Sequence, residues 1–186
     1  MPDMPDAGAP AGEVAALVAV QSALAGRPGV LPVARGMSHF GEHSLGWLAV
    51  ALIGAAMSPT RRWDWLAAGA GAFAAHAAAV VVKRVVRRKR PHDPAVAVNV
   101  GTPSQLSFPS AHATSTTAAA LLMGPITGAP LPALLVPPMA LSRMVLGVHY
   151  PSDVACGIAL GVIVAKVIAR LKNRLLVNGQ PSIGVA

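Results

Sequence analysis

Uncharged apolar runs divide the chain. Residues 14–26 hold thirteen uncharged residues. That is short for a bilayer crossing, so the run predicts an interfacial or re-entrant helix ending at Arg27, Pro28 and Gly29. Residues 44–60 form a second apolar run, followed by Arg61 and Arg62 and then Trp63 and Trp65. Paired arginines beside tryptophans mark a membrane boundary. Residues 65–82 make an eighteen-residue span that ends in a basic stretch closed by Pro91. Residues 92–111, with Pro94, Gly101, Pro103 and Pro109, read as a loop. A helix over 113–123 is stopped by Gly124 and Pro125. Another covers 131–148, with a kink expected at Pro137 and Pro138. Pro151 opens the last helix, which runs to about residue 171; Lys166, Arg170, Lys172 and Arg174 mark its far end. The pattern predicts an all-α integral membrane bundle of about five transmembrane helices, with a short N-terminal interfacial helix.

Composition sharpens this picture. Apolar residues make up 54 % of the chain and charged residues 12 %, about half the charged fraction of a soluble domain. Residues 94–142 contain no Asp, Glu, Lys or Arg. Such uncharged lengths fit a multi-pass protein of the plasma membrane better than an Ala-rich soluble domain. The net charge of +8 suits an anionic partner. Scarce aromatics leave few stacking platforms, which argues against nucleic acid. The single cysteine, Cys156, excludes an intrachain disulfide and reads as a small buried hydrophobe. Residues 1–12, rich in Pro and Gly, and the tail 177–186 read as disordered, leaving one domain over 13–176.

Three clusters carry chemistry. The first is 83–91, K-R-V-V-R-R-K-R-P; the second is 109–112, P-S-A-H; the third holds Ser142, Arg143, His149 and Asp153. Four predicted helix ends bring them to one side of the membrane. Lys83, Arg90 and Arg143 are cations that repel one another unless an anion sits among them. Arginine forks and a lysine point charge match phosphate. The helix start after Pro109 adds free N–H groups, and Ser110 adds a hydroxyl. His149 and Asp153, four residues apart, suit a ring nitrogen held by a carboxylate, with the other nitrogen left as nucleophile. His112 suits a general acid and base. No clustered carboxylates suggest magnesium, so catalysis without a metal or other cofactor is expected. His76 reads as a satisfied core histidine. His39 and His43, flanking Glu42, read as boundary or capping residues ahead of a role in substrate entry. His92 and Asp93 lie beside Arg90. Arg84, Arg87, Arg88 and Lys89 have no place in this chemistry.

The three clusters together resemble the phosphatidic acid phosphatase type 2 superfamily, whose signature is K-x6-R-P, then P-S-G-H, then S-R-x5-H-x3-D. Order and spacing match over residues 83–153. The resemblance implies a phosphohistidine mechanism: His149 as nucleophile, Asp153 orienting it, His112 as acid and base, and Lys83, Arg90, Ser110 and Arg143 holding the phosphate. One departure is Ala111, where the family usually has Gly; alanine fits if it lies in a first helical turn. The membrane branch typically has six spans. Among its members the stretch 40–47, F-G-E-H-S-L-G-W, is similar to a small actinobacterial group linked to arabinan synthesis in the cell wall. That likeness implies a polyprenyl-linked phosphosugar as substrate.

Two other readings compete. One is the same chemistry on a polyprenyl diphosphate, with loop 92–108 deciding between them. The other is a non-catalytic membrane protein that binds anionic lipid through 83–90, in which any basic residue would replace Arg143 and His149 would be dispensable.

Overall fold

The computed structural model describes residues 11–178, and the ends expected to be disordered fall largely outside that range. Seven α-helices account for most of the described residues: α1 (Gly12–Leu24), α2 (Val30–Gly41), α3 (Leu45–Met57), α4 (Arg62–Val86), α5 (Ala111–Thr127), α6 (Leu131–Val145) and α7 (Pro151–Asn178). The expected all-α membrane bundle is the fold observed.

Among the described residues, three stretches are long and apolar enough to cross a membrane: Val30–Met57, Pro59–Val86 and Pro151–Arg174. At 1.5 Å per residue each exceeds the roughly 30 Å hydrocarbon core. The first was expected to begin only at residue 44. It contains α2, which the hydropathy pattern concealed because Arg35, Gly36, Ser38 and His39 interrupt the apolar run. A 3-10 turn, Glu42–Ser44, joins α2 to α3, with His43 and Ser44 both at positive φ.

α5 sits at the centre and packs against α4, α6 and α7. Apart from His112, its first ten residues are small or hydroxylated, and nearly all are buried. Among lipid-solvated helices such residues let backbones approach closely. The closeness is visible at Gly161 of α7, where a Cβ would lie 2.5 Å from the Thr114 carbonyl. Most hydroxyls that enter this apolar core are paired, Thr117 Oγ1 being the exception among the described residues. Thr114 Oγ1 donates to the Ser110 carbonyl at 2.8 Å, and Trp47 Nε1 donates to Thr116 Oγ1 at 3.3 Å.

Three expectations need correction. α6 stops at Val145, not at 148, because Gly147 turns the chain at φ +70°, where Ala97 leaves no room for a side chain. Cys156 is exposed on the outer face of α7, not buried. α5 continues through Gly124 and Pro125 to Thr127 and does not stop at 123. The short α1 buries Leu17 and Gln21 and packs against α6 and α7. Gln21 Nε2 donates to the Ala97 carbonyl at 2.7 Å, while Gln21 Oε1 accepts from Ala97 N–H at 3.0 Å.

Polar contacts sort to the two ends of the bundle. At one end Lys172 pairs with Asp64 at 2.5 Å, and Arg61 donates to the Ile126 carbonyl at 2.8 Å, satisfying the end of α5. At the other end α4, α6 and the starts of α5 and α7 converge, as the sequence predicts for the three clusters.

Candidate active site

The connection from Arg87 to Ser110 folds back over the converging helix ends. Arg87, left-handed at φ 56°, ends α4. The returning strand then pairs with the outgoing one: Arg90 N–H donates to the Gln105 carbonyl at 3.1 Å and Ser107 N–H to the Arg88 carbonyl at 2.8 Å. This clasp fixes two of the predicted cations. Lys83 Nζ donates to the Leu106 and Ser107 carbonyls at 3.0 and 3.1 Å. Arg90 Nε donates to the Ser104 carbonyl at 2.8 Å and Nη1 to the Val148 carbonyl at 2.6 Å. Burial pushes the Arg90 guanidinium down to about 10, partly offset by Asp153, so it stays charged at neutral pH.

Arg143 enters from the last turn of α6. It is 2 % exposed, and its Nε and Nη2 have no hydrogen-bond partner among the described residues. A buried guanidinium with free N–H groups is costly unless it meets an anion. Arg90, Lys83 and Arg143 all act on the ring of His149. Burial first, and then these three cations, hold His149 well below its ordinary range, against a weaker pull from the Ser107 carbonyl. The ring is therefore neutral at pH 7.

The tautomer of that ring follows from its neighbours. Arg90 Nη1 lies 3.3 Å from His149 Nε2. A guanidinium only donates, so Nε2 carries the lone pair and Nδ1 the proton. Nδ1 faces Asp153 Oδ2 at 3.7 Å, within ion-pair range but longer than a hydrogen bond. Asp153 is fully buried and tightly held. Its Oδ2 accepts from the Tyr150 N–H at 2.8 Å, and its Oδ1 accepts from Arg88 Nη1 at 3.0 Å.

Arg88 therefore belongs to the site, although it reads in the sequence as one of several spare basic residues. It stacks over the Tyr150 ring at 4.1 Å, and its Nη2 meets Glu13 Oε2 of α1 at 2.5 Å. Glu13 Oε1 also accepts from the Ser152 N–H at 2.9 Å, capping α7 from a distant helix. The only clue to this partnership in the sequence is a lone carboxylate ahead of the first apolar run. Ser38 was equally hidden. His112 Nε2 donates to its carbonyl at 2.9 Å, which leaves Nδ1 as the ring nitrogen free to take up and give back a proton.

Lys83, Arg90, His112, Arg143 and His149 line one cavity of about 440 Å³. Ser110 and Asp153 stand behind its wall, both fully buried. Ser110 is the N-cap of α5: its Oγ accepts from the Ala113 N–H at 3.4 Å, leaving its own O–H free to donate. Ala111 opens α5 in helical conformation, which removes the strict need for glycine there. His39, Glu42, His43 and His76 also line the cavity. The reading of His76 as a satisfied core residue is overturned, because its Nδ1 has no partner among the described residues. His92 reaches only the Arg90 carbonyl, at 3.3 Å.

These features define a multi-pass helical membrane protein with a cationic cavity at one end of its bundle. The PAP2 superfamily model matches residues 64–176, and the chain belongs to that superfamily. It is similar to decaprenylphosphoryl-5-phosphoribose phosphatase of Mycobacterium tuberculosis (strain CDC 1551 / Oshkosh), with 71 % identity over 160 residues, covering 86 % of this chain and 90 % of the relative. The protein of the same name from Mycolicibacterium smegmatis (strain ATCC 700084 / mc(2)155) is 73 % identical over 149 residues, covering 80 % of this chain and 83 % of the relative. Among solved structures, the transmembrane PAP2 type phosphatidylglycerolphosphate phosphatase from Bacillus subtilis superposes with a TM-score of 0.67. At 24 % identity, covering 86 % of this chain and 85 % of that one, it shows the shared fold.

Proposed function

We propose that this chain hydrolyses the 5-phosphate of decaprenylphosphoryl-5-phosphoribose through a phosphohistidine formed on His149, without a metal. The observation that carries the reaction is the buried Arg143, with free Nε and Nη2, on the same cavity as a neutral His149. The substrate rests on the names of relatives that are 71–73 % identical over most of their length.

The geometry supports the following steps. The phosphate dianion takes the place among Lys83, Arg90 and Arg143, with the Ser110 hydroxyl and the start of α5 behind it. His149 Nε2 attacks phosphorus in line as the bond to the C5 oxygen breaks. His112, protonated on both ring nitrogens once the dianion is bound, donates its Nδ1 proton to that oxygen and keeps its Nε2 proton on the Ser38 carbonyl. The ring becomes cationic, and the Asp153 carboxylate on its Nδ1 side stabilises it. The cations stabilise charge on the equatorial oxygens. Water then attacks phosphorus, His112 takes its proton, the P–N bond breaks, and inorganic phosphate leaves with His149 neutral again.

The test is phosphate release by purified protein in detergent with EDTA, comparing wild type with His149→Ala on decaprenylphosphoryl-5-phosphoribose and on a polyprenyl diphosphate. The proposal expects release by wild type, preference for the phosphosugar, and loss in the variant. Preference for the diphosphate would move the substrate assignment. Full activity in His149→Ala would overturn the mechanism and favour a lipid-binding role.

A further inference from the structure

The catalytic proposal leaves one wall of the cavity unused. His76 lies on the same face of α4 as Val80 and Lys83, and all three line the cavity. Seven residues of helix separate His76 from Lys83, a rise of about 10 Å. The cavity therefore continues past the cations, with room for a group attached to the phosphate.

That far wall is built, and at a cost. The His43 ring stands 5.8 Å from the His76 ring, brought there by a backbone at φ 50°. Ser44, next in the chain and also left-handed, is fully buried, and its Oγ donates to the Ala72 carbonyl of α4 at 3.2 Å. The kink between α2 and α3 is thereby pinned onto the helix that carries His76. Strained conformations of non-glycine residues persist where surrounding structure over-determines them, and they cluster at ligand clamps. His76 Nδ1 is buried without a partner among the described residues, in a setting where a buried polar atom needs one. Glu42 adds a carboxylate acceptor on the same turn and also lines the cavity.

The character of this wall selects its ligand. Lys83, Arg90 and Arg143 gather around His149. Glu42 lines the cavity on the turn that carries His43, its carboxylate 3.9 Å from His39 Nδ1, with the exposed Arg84 on the rim. A second phosphate pressed against Glu42 would be repelled. A polyol would find acceptors in Glu42 and a ring nitrogen, and donors in the ring N–H groups.

We infer that His43, His76 and Glu42 form a subsite for sugar hydroxyls, which selects a phosphosugar over a diphosphate. The inference rests on the phosphosugar reading given above.

The test compares kcat/KM in detergent on decaprenylphosphoryl-5-phosphoribose and on its 2,3-dideoxy analogue, for wild type, His76→Ala and Glu42→Gln. Wild type should favour the hydroxylated lipid by roughly tenfold or more, since a site built to bind hydroxyls rejects ligands that lack them. In each variant that ratio should fall toward one. His76→Gln, which keeps a donor and an acceptor, should recover part of it. Equal action of wild type on both lipids would overturn the subsite. So would loss by the same factor on both lipids in both variants. Wild type that acts on neither lipid but cleaves a polyprenyl diphosphate would overturn the phosphosugar reading and the subsite together, and is recognised by that pattern.

Discussion

At the scale of single residues, Arg143 and His149 carry the account. Arg143 has a buried fork with no partner among the described residues on two of its nitrogens, so its shape as well as its charge should matter. Arg143→Lys should lower kcat/KM by on the order of tenfold or more, because an ammonium cannot make the bidentate contact. Unchanged turnover in that variant would mean that charge alone is used, as in a lipid-binding protein. His149 is held well below its ordinary pKa by burial and by Arg90, Lys83 and Arg143. Protonation of the free enzyme at this ring therefore falls well below about pH 6.5. A nitrogen-15 titration of the ring should show no transition near that pH, and a midpoint at or above it would contradict the packed cations. The motif residues were legible in the sequence because their spacing is tied to one chemistry. Arg88 was not, since nothing in a basic run separates the arginine that meets Asp153 from neighbours that face outward. His76 was hidden for a different reason. One histidine in an apolar helix looks the same whether its neighbours satisfy it or not.

At the scale of helices, α1 and α2 are the elements hydropathy described least well. α1 is too short to span, yet it closes the site through a contact between residues 139 apart in sequence: Glu13 holds the Ser152 N–H as well as Arg88. Periodicity within one helix cannot reveal a cap supplied by another. Glu13→Ala should free that cap and leave Arg88 with Asp153 as its remaining carboxylate, costing about 1–3 kcal/mol. The readout is a lower Tm in detergent, and an unchanged Tm would show that α1 is not a structural clamp. The α5–α7 contact gives a second test. Gly161→Val would drive a side chain into Thr114 and Thr117. Overpacking there should destabilise by about 1–3 kcal/mol or more, again read as a lower Tm; a well-folded variant with unchanged Tm would contradict the close approach. α2 escaped the sequence reading because Arg35, Gly36, Ser38 and His39 break its apolar run, although Ser38 and His39 line the cavity. Ser38 orients His112, and the turn that follows carries His43.

At the scale of the whole molecule, the uncharged runs foretold a multi-pass bundle with one chemically active end. The packing order around α5 was not legible, because Ala, Ser, Thr and Gly mark close approach without naming the partner helix. What the bundle achieves is to bring three cations and a neutral imidazole onto one cavity, with a held carboxylate behind its wall; in the proposed reaction the approach of a phosphate dianion relieves the repulsion among the cations. The central claim is that phosphate passes through His149. The most direct measurement is rapid quenching of wild type in alkali during turnover of decaprenylphosphoryl-5-phosphoribose, with mass spectrometry of the peptide containing His149. Phosphoramidates survive alkali and hydrolyse in acid, so the account predicts a phosphate on His149 that acid removes. Wild type that turns over the lipid with no phosphate on that residue, or with phosphate on a different one, would contradict it.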